Sequence, residues 1–220
     1  MATVGQAAGG RRDARLTEEG IYAAALGLID RDGIEALSMR KLAAVLGVNP
    51  MSLYHHVPNK AALLRGVTNL VARQFRPKSG DGTWQEQLHS VAHGFRALAH
   101  QHPNLIEHSF ANPSSIDRED PFWTALTGIL HTAGVPPTDV APVAAVITSL
   151  FSGYLIAEVN GTLGRLAAMQ PALESAESAG APGAVADGDR GFELAMQTLI
   201  LGLEAQLTRG RQPGPGLAIT

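Results

Sequence analysis

The sequence predicts an all-α protein. Apolar residues recur with a helical period along most of the 220-residue chain, and the alternating β-branched runs that make strands are missing. Hydrophobic residues make up 45% and charged residues 17%, with mean hydropathy near zero. That supplies a packed core and exceeds what a disordered chain carries. One clear cluster of helix breakers separates helices in the first half, Pro77-Lys-Ser-Gly-Asp-Gly-Thr83. Charge changes sign there. Residues 1–77 hold ten Lys/Arg against six Asp/Glu, whereas residues 78–220 hold seven against fourteen. A basic N-terminal third on an acidic remainder points to one part that meets a polyanion and another that does not.

The organisation expected is a basic arm over 1–16, a small helical domain over 17–77, a larger helical domain over 78–209 and a tail over 210–220. Cysteine is absent, which excludes disulfides, thiolate zinc sites and cysteine catalysis. The first twelve residues contain no apolar run, so no secretory signal is expected and a cytoplasmic location fits. Periodicity places helices at about 18–32, 39–46, 50–56, 60–76, 83–102, 104–111, 119–133, 137–160 and 190–208. Pro171 to Asp189, rich in Ala, Gly, Ser and acidic residues, reads as a loop. Val140 to Ala157 is eighteen residues without a charge, the shortest length at which a membrane span comes into question. Pro142, Thr148, Ser149, Ser152 and Gly153 interrupt it and no Lys/Arg cluster flanks it, so a helix buried in a helical domain or shared with a partner chain is the simpler reading.

The stretch from Ser38 to Val57 carries the functional signal. Ser38 is a good N-cap for the helix that follows, whose Leu42, Val45 and Leu46 share one face. Ala43 is small where a second helix can pack closely. Gly47 ends that helix, as a residue able to take positive φ does. Asn49 then caps a new helix with Pro50 at its first position, where a missing N–H is harmless. In this second helix Leu53 and Val57 face inward, leaving Met51, Ser52, Tyr54, His55 and His56 on or near the outer face. Two short helices joined by a tight turn containing glycine form a helix-turn-helix, whose second helix enters a major groove with its N-terminal residues against base edges. The alternative is a helical hairpin that binds nothing; an exposed Tyr-His-His beside Arg40 and Lys60 in a basic domain argues against it.

Leu37 to Leu64, and above all Leu53-Tyr-His-His-Val-Pro-Asn-Lys-Ala-Ala-Leu-Leu64, resembles the DNA-binding domain of the TetR family of transcriptional regulators. The segment before it, from Ala25 to Ser38, resembles the family's first helix and the turn after it. The resemblance covers about 60 residues; beyond residue 77 only the all-helical pattern agrees. It implies that Arg40 reaches a base edge or phosphate, and that Pro50, Met51 and Ser52 lie nearest the bases. Tyr54, His56 and Lys60 would hold phosphates and fix the register. Asn59 would cap the fourth helix. His55 departs from the aromatic residue the pattern carries, and Arg11, Arg12 and Arg15 are either an arm on the DNA or a solvated tail.

The second domain opens with an amphipathic helix. Plotted at about 100° per residue, Trp84, Leu88, Val91, Phe95, Leu98 and His102 share one face. Glu86, His89, His93 and His100 share another, with metal-ligand spacing but the simpler reading of a solvated face, so no metal and no cofactor are expected. In the resembling family the corresponding helices surround an apolar cavity for a small molecule, which implies a lining drawn from Phe95, Leu98, His102, Phe110, Trp123, Leu126 and Phe151. The helices at 137–160 and 190–208 are apolar on more than one face, which calls for a partner chain. The resemblance implies that they pair with their two-fold mates in a homodimer.

The expectation is therefore a ligand-responsive, dimeric DNA-binding regulator, a repressor that binds a pseudo-palindromic operator through residues 39–57 and is released by an unknown small-molecule effector. Two other classes were weighed. A metal-dependent enzyme would use the His89/His93 helix, yet no Gly-rich phosphate loop, nucleophile elbow or His-Glu-x-x-His motif accompanies it. A membrane protein would be built on 140–157.

Overall fold

A computed structural model describes residues 16–75, 82–112, 120–169 and 184–211, and these form ten α-helices with no strand among them. The basic arm up to Arg15, the breaker cluster up to Asp81, residues 113–119, residues 170–183 and the tail beyond Arg211 lie outside the described residues. By packing, the chain divides into two compact units between Val67 and Thr68, inside the fourth helix. Residue 77, where the composition changes, is among those not described.

The first unit holds α1 (Glu18–Asp32), α2 (Met39–Leu46), α3 (Pro50–His56) and the start of α4 (Lys60–Ala72). Thr17 begins α1 by accepting the Gly20 N–H at 3.1 Å, which satisfies one of the donors a helix start leaves without a partner. Helix α1 packs on α2, and α2 on α3. Ile21, Ile29, Leu42, Leu53, Val57 and Leu63 are fully buried between these helices. Each such side chain contributes roughly 1.5–3 kcal/mol relative to exposure. Gly66 allows α4 to approach α1: a Cβ there would fall 2.3 Å from the Tyr22 ring.

One expectation for α2 fails. Val45 does not share the buried face with Leu42; it is 55% exposed, and Ala43 is buried instead. An eight-residue helix has room for only a narrow apolar stripe, and close packing of α2 favours the small side chain on it.

The second unit holds the rest of α4 with α5 (Trp84–Gln101), α6 (Pro103–Ala111), α7 (Pro121–Ala133), α8 (Pro137–Val159), α9 (Thr162–Ala168) and α10 (Ala184–Arg211). Thr83 and Glu86 form a capping box at the start of α5, and Asp120 accepts two backbone N–H groups at the start of α7. Helix α5 packs against α7 and α8, and α6 against α8. Their shared core is aromatic: Phe95 lies 4.6 Å from Phe122 and 6.0 Å from Phe110 between ring centroids, and Phe151 lies 5.8 Å from Phe192. Two elements differ from expectation. The short helix α9 follows a turn at Asn160-Gly161, with Gly161 at φ 75°, and had no apolar period long enough to mark it. Residues 184–189, expected as loop, are the first turns of α10.

Candidate nucleic-acid interface

The helix-turn-helix is built by its caps. Ser38 Oγ accepts the Lys41 N–H at 3.2 Å. Gly47, in the left-handed region at φ 68°, turns the chain and returns its N–H to the end of α2. Asn49 Oδ1 then accepts the Met51 N–H at 2.9 Å to open α3. Leu53 and Val57, both fully buried, pin α3 to the core and fix which side looks outward. That outward side carries Met51, 64% exposed, and Tyr54, 45% exposed, with Pro50, His55 and His56 exposed and Ser52 half-buried. A thioether and a phenol, three residues apart, thus stand open on the side of α3 away from the core.

The cations around it are not equivalent. Lys41 pairs with Asp32 at 2.9 Å, and Arg31 flanks the same carboxylate at 3.1 Å. Hydrogen bonds from Arg31 and then Lys41 hold the Asp32 carboxyl below its ordinary range. Arg40 is exposed and forms no ion pair among the described residues. Lys60 is half-buried and its Nζ donates to the Ile34 carbonyl at 2.9 Å, tying the start of α4 to the turn between α1 and α2. That tether spans 26 residues, so no local pattern announces it. Asn59 caps α4 by accepting the Ala62 N–H at 2.8 Å.

In the second unit the residues expected around a small molecule sit in or beside the aromatic core. Leu98, His102, Leu126 and Phe151 are buried, while Phe95, Phe110 and Trp123 are half-buried. The structure brings Phe95, Phe110 and Phe151 together through ring contacts of 6.0 and 6.3 Å. His102 forms the corner between α5 and α6, where its carbonyl accepts the N–H groups of Leu105 and Ile106.

The histidine face of α5 stays partly open to water, with the His89, His93 and His100 side chains 40–49% exposed, and it carries carboxylate partners besides. His89 Nε2 lies 2.8 Å and His93 Nε2 3.0 Å from the two carboxylate oxygens of Glu193 on α10. His100 lies 3.2 Å from Glu158 on α8. Between them Arg96 holds Glu158 at 2.6 Å and Asp189 at 2.8 Å, and its guanidinium covers the Phe192 ring at 4.5 Å. The Glu193 carboxyl is held below its ordinary range, chiefly by the hydrogen bond with His89. Glu86 takes no part, because its carboxylate closes the α5 capping box.

Helix α8 is long and apolar enough to cross a membrane, with 28% of its apolar window buried. Its outer residues Val146 and Leu150, 58% and 63% exposed, flank an apolar groove of about 620 Å³ between α8 and α10. Leu199 and Leu203 line the α10 side, and Leu201 stands 64% exposed on the same helix.

Comparison with known proteins decides the family. Residues 21–67 match bacterial regulatory proteins of the tetR family, and residues 76–207 match the tetracyclin repressor-like C-terminal domain. The chain belongs to the TetR family. The DrrR1 transcriptional repressor of Streptomyces coeruleorubidus is 33% identical over 70% of this chain and 58% of its own length. A transcriptional regulator of Saccharopolyspora erythraea is 30% identical over 86% of this chain and 85% of its own. Among solved structures, BioQ with its double-stranded DNA operator aligns with 87% of this chain and 99% of its own at TM-score 0.65 and 27% identity. ActR of Streptomyces coelicolor in complex with actinorhodin aligns with 88% and 99% at TM-score 0.69 and 25% identity. This TetR-family chain is thus a DNA-binding transcriptional regulator, with α2 and α3 inside its DNA-binding domain.

Proposed function

We propose that the protein is a cytoplasmic, dimeric repressor that binds a pseudo-palindromic operator through α3 and is released by a small apolar effector held among α5 to α8. The observation that carries the reading is the outer face of α3, where Met51 and Tyr54 stand open on a helix whose inner face is fully buried. Pro50, Met51 and Ser52 meet base edges. Methionine offers only apolar contact, suited to a thymine methyl, so direct readout is thin. Tyr54 and His56 hold phosphates, and Arg40 takes a base edge or phosphate because no carboxylate competes for it among the described residues. Lys60 also serves the backbone, from a position fixed by its bond to Ile34.

The apolar groove between α8 and α10 supports homodimerisation through these two helices, the second running through 190–208. A two-fold dimer sets two recognition helices about 34–36 Å apart, one helical turn of DNA. The effector site is drawn from Phe95, Leu98, His102, Phe110, Trp123, Leu126 and Phe151, an apolar lining with one imidazole to orient a polar group. Binding there displaces α4 and weakens operator binding; a coupling of about 1–3 kcal/mol changes affinity roughly 5–150-fold. No catalysis is proposed.

The test compares a duplex holding the full pseudo-palindrome with one holding a single half-site. The two-fold reading expects the full duplex to bind one dimer with at least ~10³-fold higher affinity, because two half-sites share one association event. Equal affinity for both duplexes would refute it.

A further inference from the structure

The cleft where α5 meets α10 carries a feature that DNA binding does not use. His89 and His93 stand one turn apart on α5 with ring centroids 4.3 Å apart. Each directs its Nε2 at a different oxygen of one carboxylate, Glu193, which arrives from α10 about a hundred residues later. An ion pair needs only one of these imidazoles. Two imidazole nitrogens and a carboxylate instead offer three ligand atoms within 4.8 Å of one another, a set from which a tetrahedral site can be closed.

We propose that His89, His93 and Glu193 form a binding site for a divalent transition cation of the zinc class. All three ligand atoms lie within side-chain reach of one ion. Bonds of about 2.0–2.2 Å to a tetrahedral ion place neighbouring ligand atoms roughly 3.3 Å apart. The present contacts of 2.8 and 3.0 Å run to the two different oxygens of Glu193, so a rotation of that carboxylate brings one oxygen toward both nitrogens and closes the set. Each imidazole presents the Nε2 lone pair to the ion, and its ring proton resides on Nδ1. Two imidazoles with one carboxylate suit zinc, cobalt, nickel or copper, and offer too few oxygens for calcium or magnesium.

The fourth position is open. The three side chains are 40–42% exposed, and His89 and His93 border a cleft of about 730 Å³ shared with Gln85, Glu86, Ser90, Gly94 and Ile200. Water or a small anion completes the coordination from that side. The site's back is closed by Phe192, whose ring meets His93 edge-on at 4.7 Å. An ion here joins α5 to α10, the helix that also lines the proposed dimer groove, so occupancy stiffens that wall. The inference does not depend on the DNA-binding reading.

The experiment uses the full, untagged chain stripped with a chelator and titrated with Co²⁺, followed by visible absorption, then challenged with Zn²⁺. Expected is saturation at one equivalent per chain with the absorption of four- or five-coordinate cobalt, which Zn²⁺ abolishes. His93→Gln and Glu193→Gln, at half-exposed positions, keep their helical circular dichroism and weaken Co²⁺ binding by roughly tenfold or more. His131→Gln, an exposed histidine on α7, leaves binding unchanged. Absence of saturable cobalt absorption in the wild-type chain would overturn the site. So would binding that survives the His89→Gln/His93→Gln double substitution.

Discussion

Under the proposed function, Tyr54 and Lys60 position the protein on DNA and Met51 reads it, a division that single substitutions test. Replacing Tyr54 with Phe removes one hydroxyl from an exposed ring, and should weaken binding to every duplex alike by about 1 kcal/mol. Lys60→Ala should do the same and also lower the unfolding midpoint of the first unit, because the Ile34 carbonyl loses its donor. A loss confined to one sequence would contradict the phosphate role. Met51→Ala should instead change sequence preference in a selection from random duplexes, since its only contact is apolar. Gly66 makes a separate prediction. Gly66→Ala drives a methyl into the Tyr22 ring at 2.3 Å and should cost about 1–3 kcal/mol in urea unfolding, unless Tyr22 is shortened to Ala in the same chain. Nothing around residue 66 in the sequence announces this, because the clashing ring lies on α1.

The helices themselves were largely legible because their ends carry local chemistry. Ser38, Gly47 and Asn49 each act within three or four residues, so their roles follow from spacing alone; the Asn59 cap is implied by the family resemblance, and the bonds found are those expected. What spacing does not convey is the partner of a polar face. Glu86, His89, His93 and His100 read as a stripe open to water; three of them find carboxylates on α8 or α10, 58 to 104 residues away. The same holds for Arg96, which joins α5 to α8 and α10 through Glu158 and Asp189. Glu158 is almost fully buried, its side chain 8% exposed. Removing Arg96 leaves that buried carboxylate with only the His100 imidazole beside it among the described residues, so Arg96→Leu should destabilise the second unit by about 3 kcal/mol in thermal or denaturant unfolding. Glu158→Gln in the Arg96→Leu background should recover part of the loss. A single substitution without effect would mean that the network is solvated.

At the scale of the whole molecule, the proposed function joins two surfaces: the face of α3 and the groove between α8 and α10. Introducing a charge into the groove, as Leu150→Glu or Val146→Glu, should convert a dimer to a monomer by sedimentation while leaving helix content intact, since both side chains are already 58–63% exposed in the single chain. Operator affinity should fall with it, as each half-site then binds alone. The measurement that tests the account most directly is fluorescence anisotropy of the purified protein on a duplex covering the DNA beside its own gene, against a scrambled duplex, at two salt concentrations. Binding at least about 10³-fold tighter than to the scramble is predicted, with a salt slope near −4 for roughly four or five neutralised phosphates per dimer. Equal and weak binding to both, repeated on operators selected from genomic fragments, would contradict a recognition helix that reads sequence.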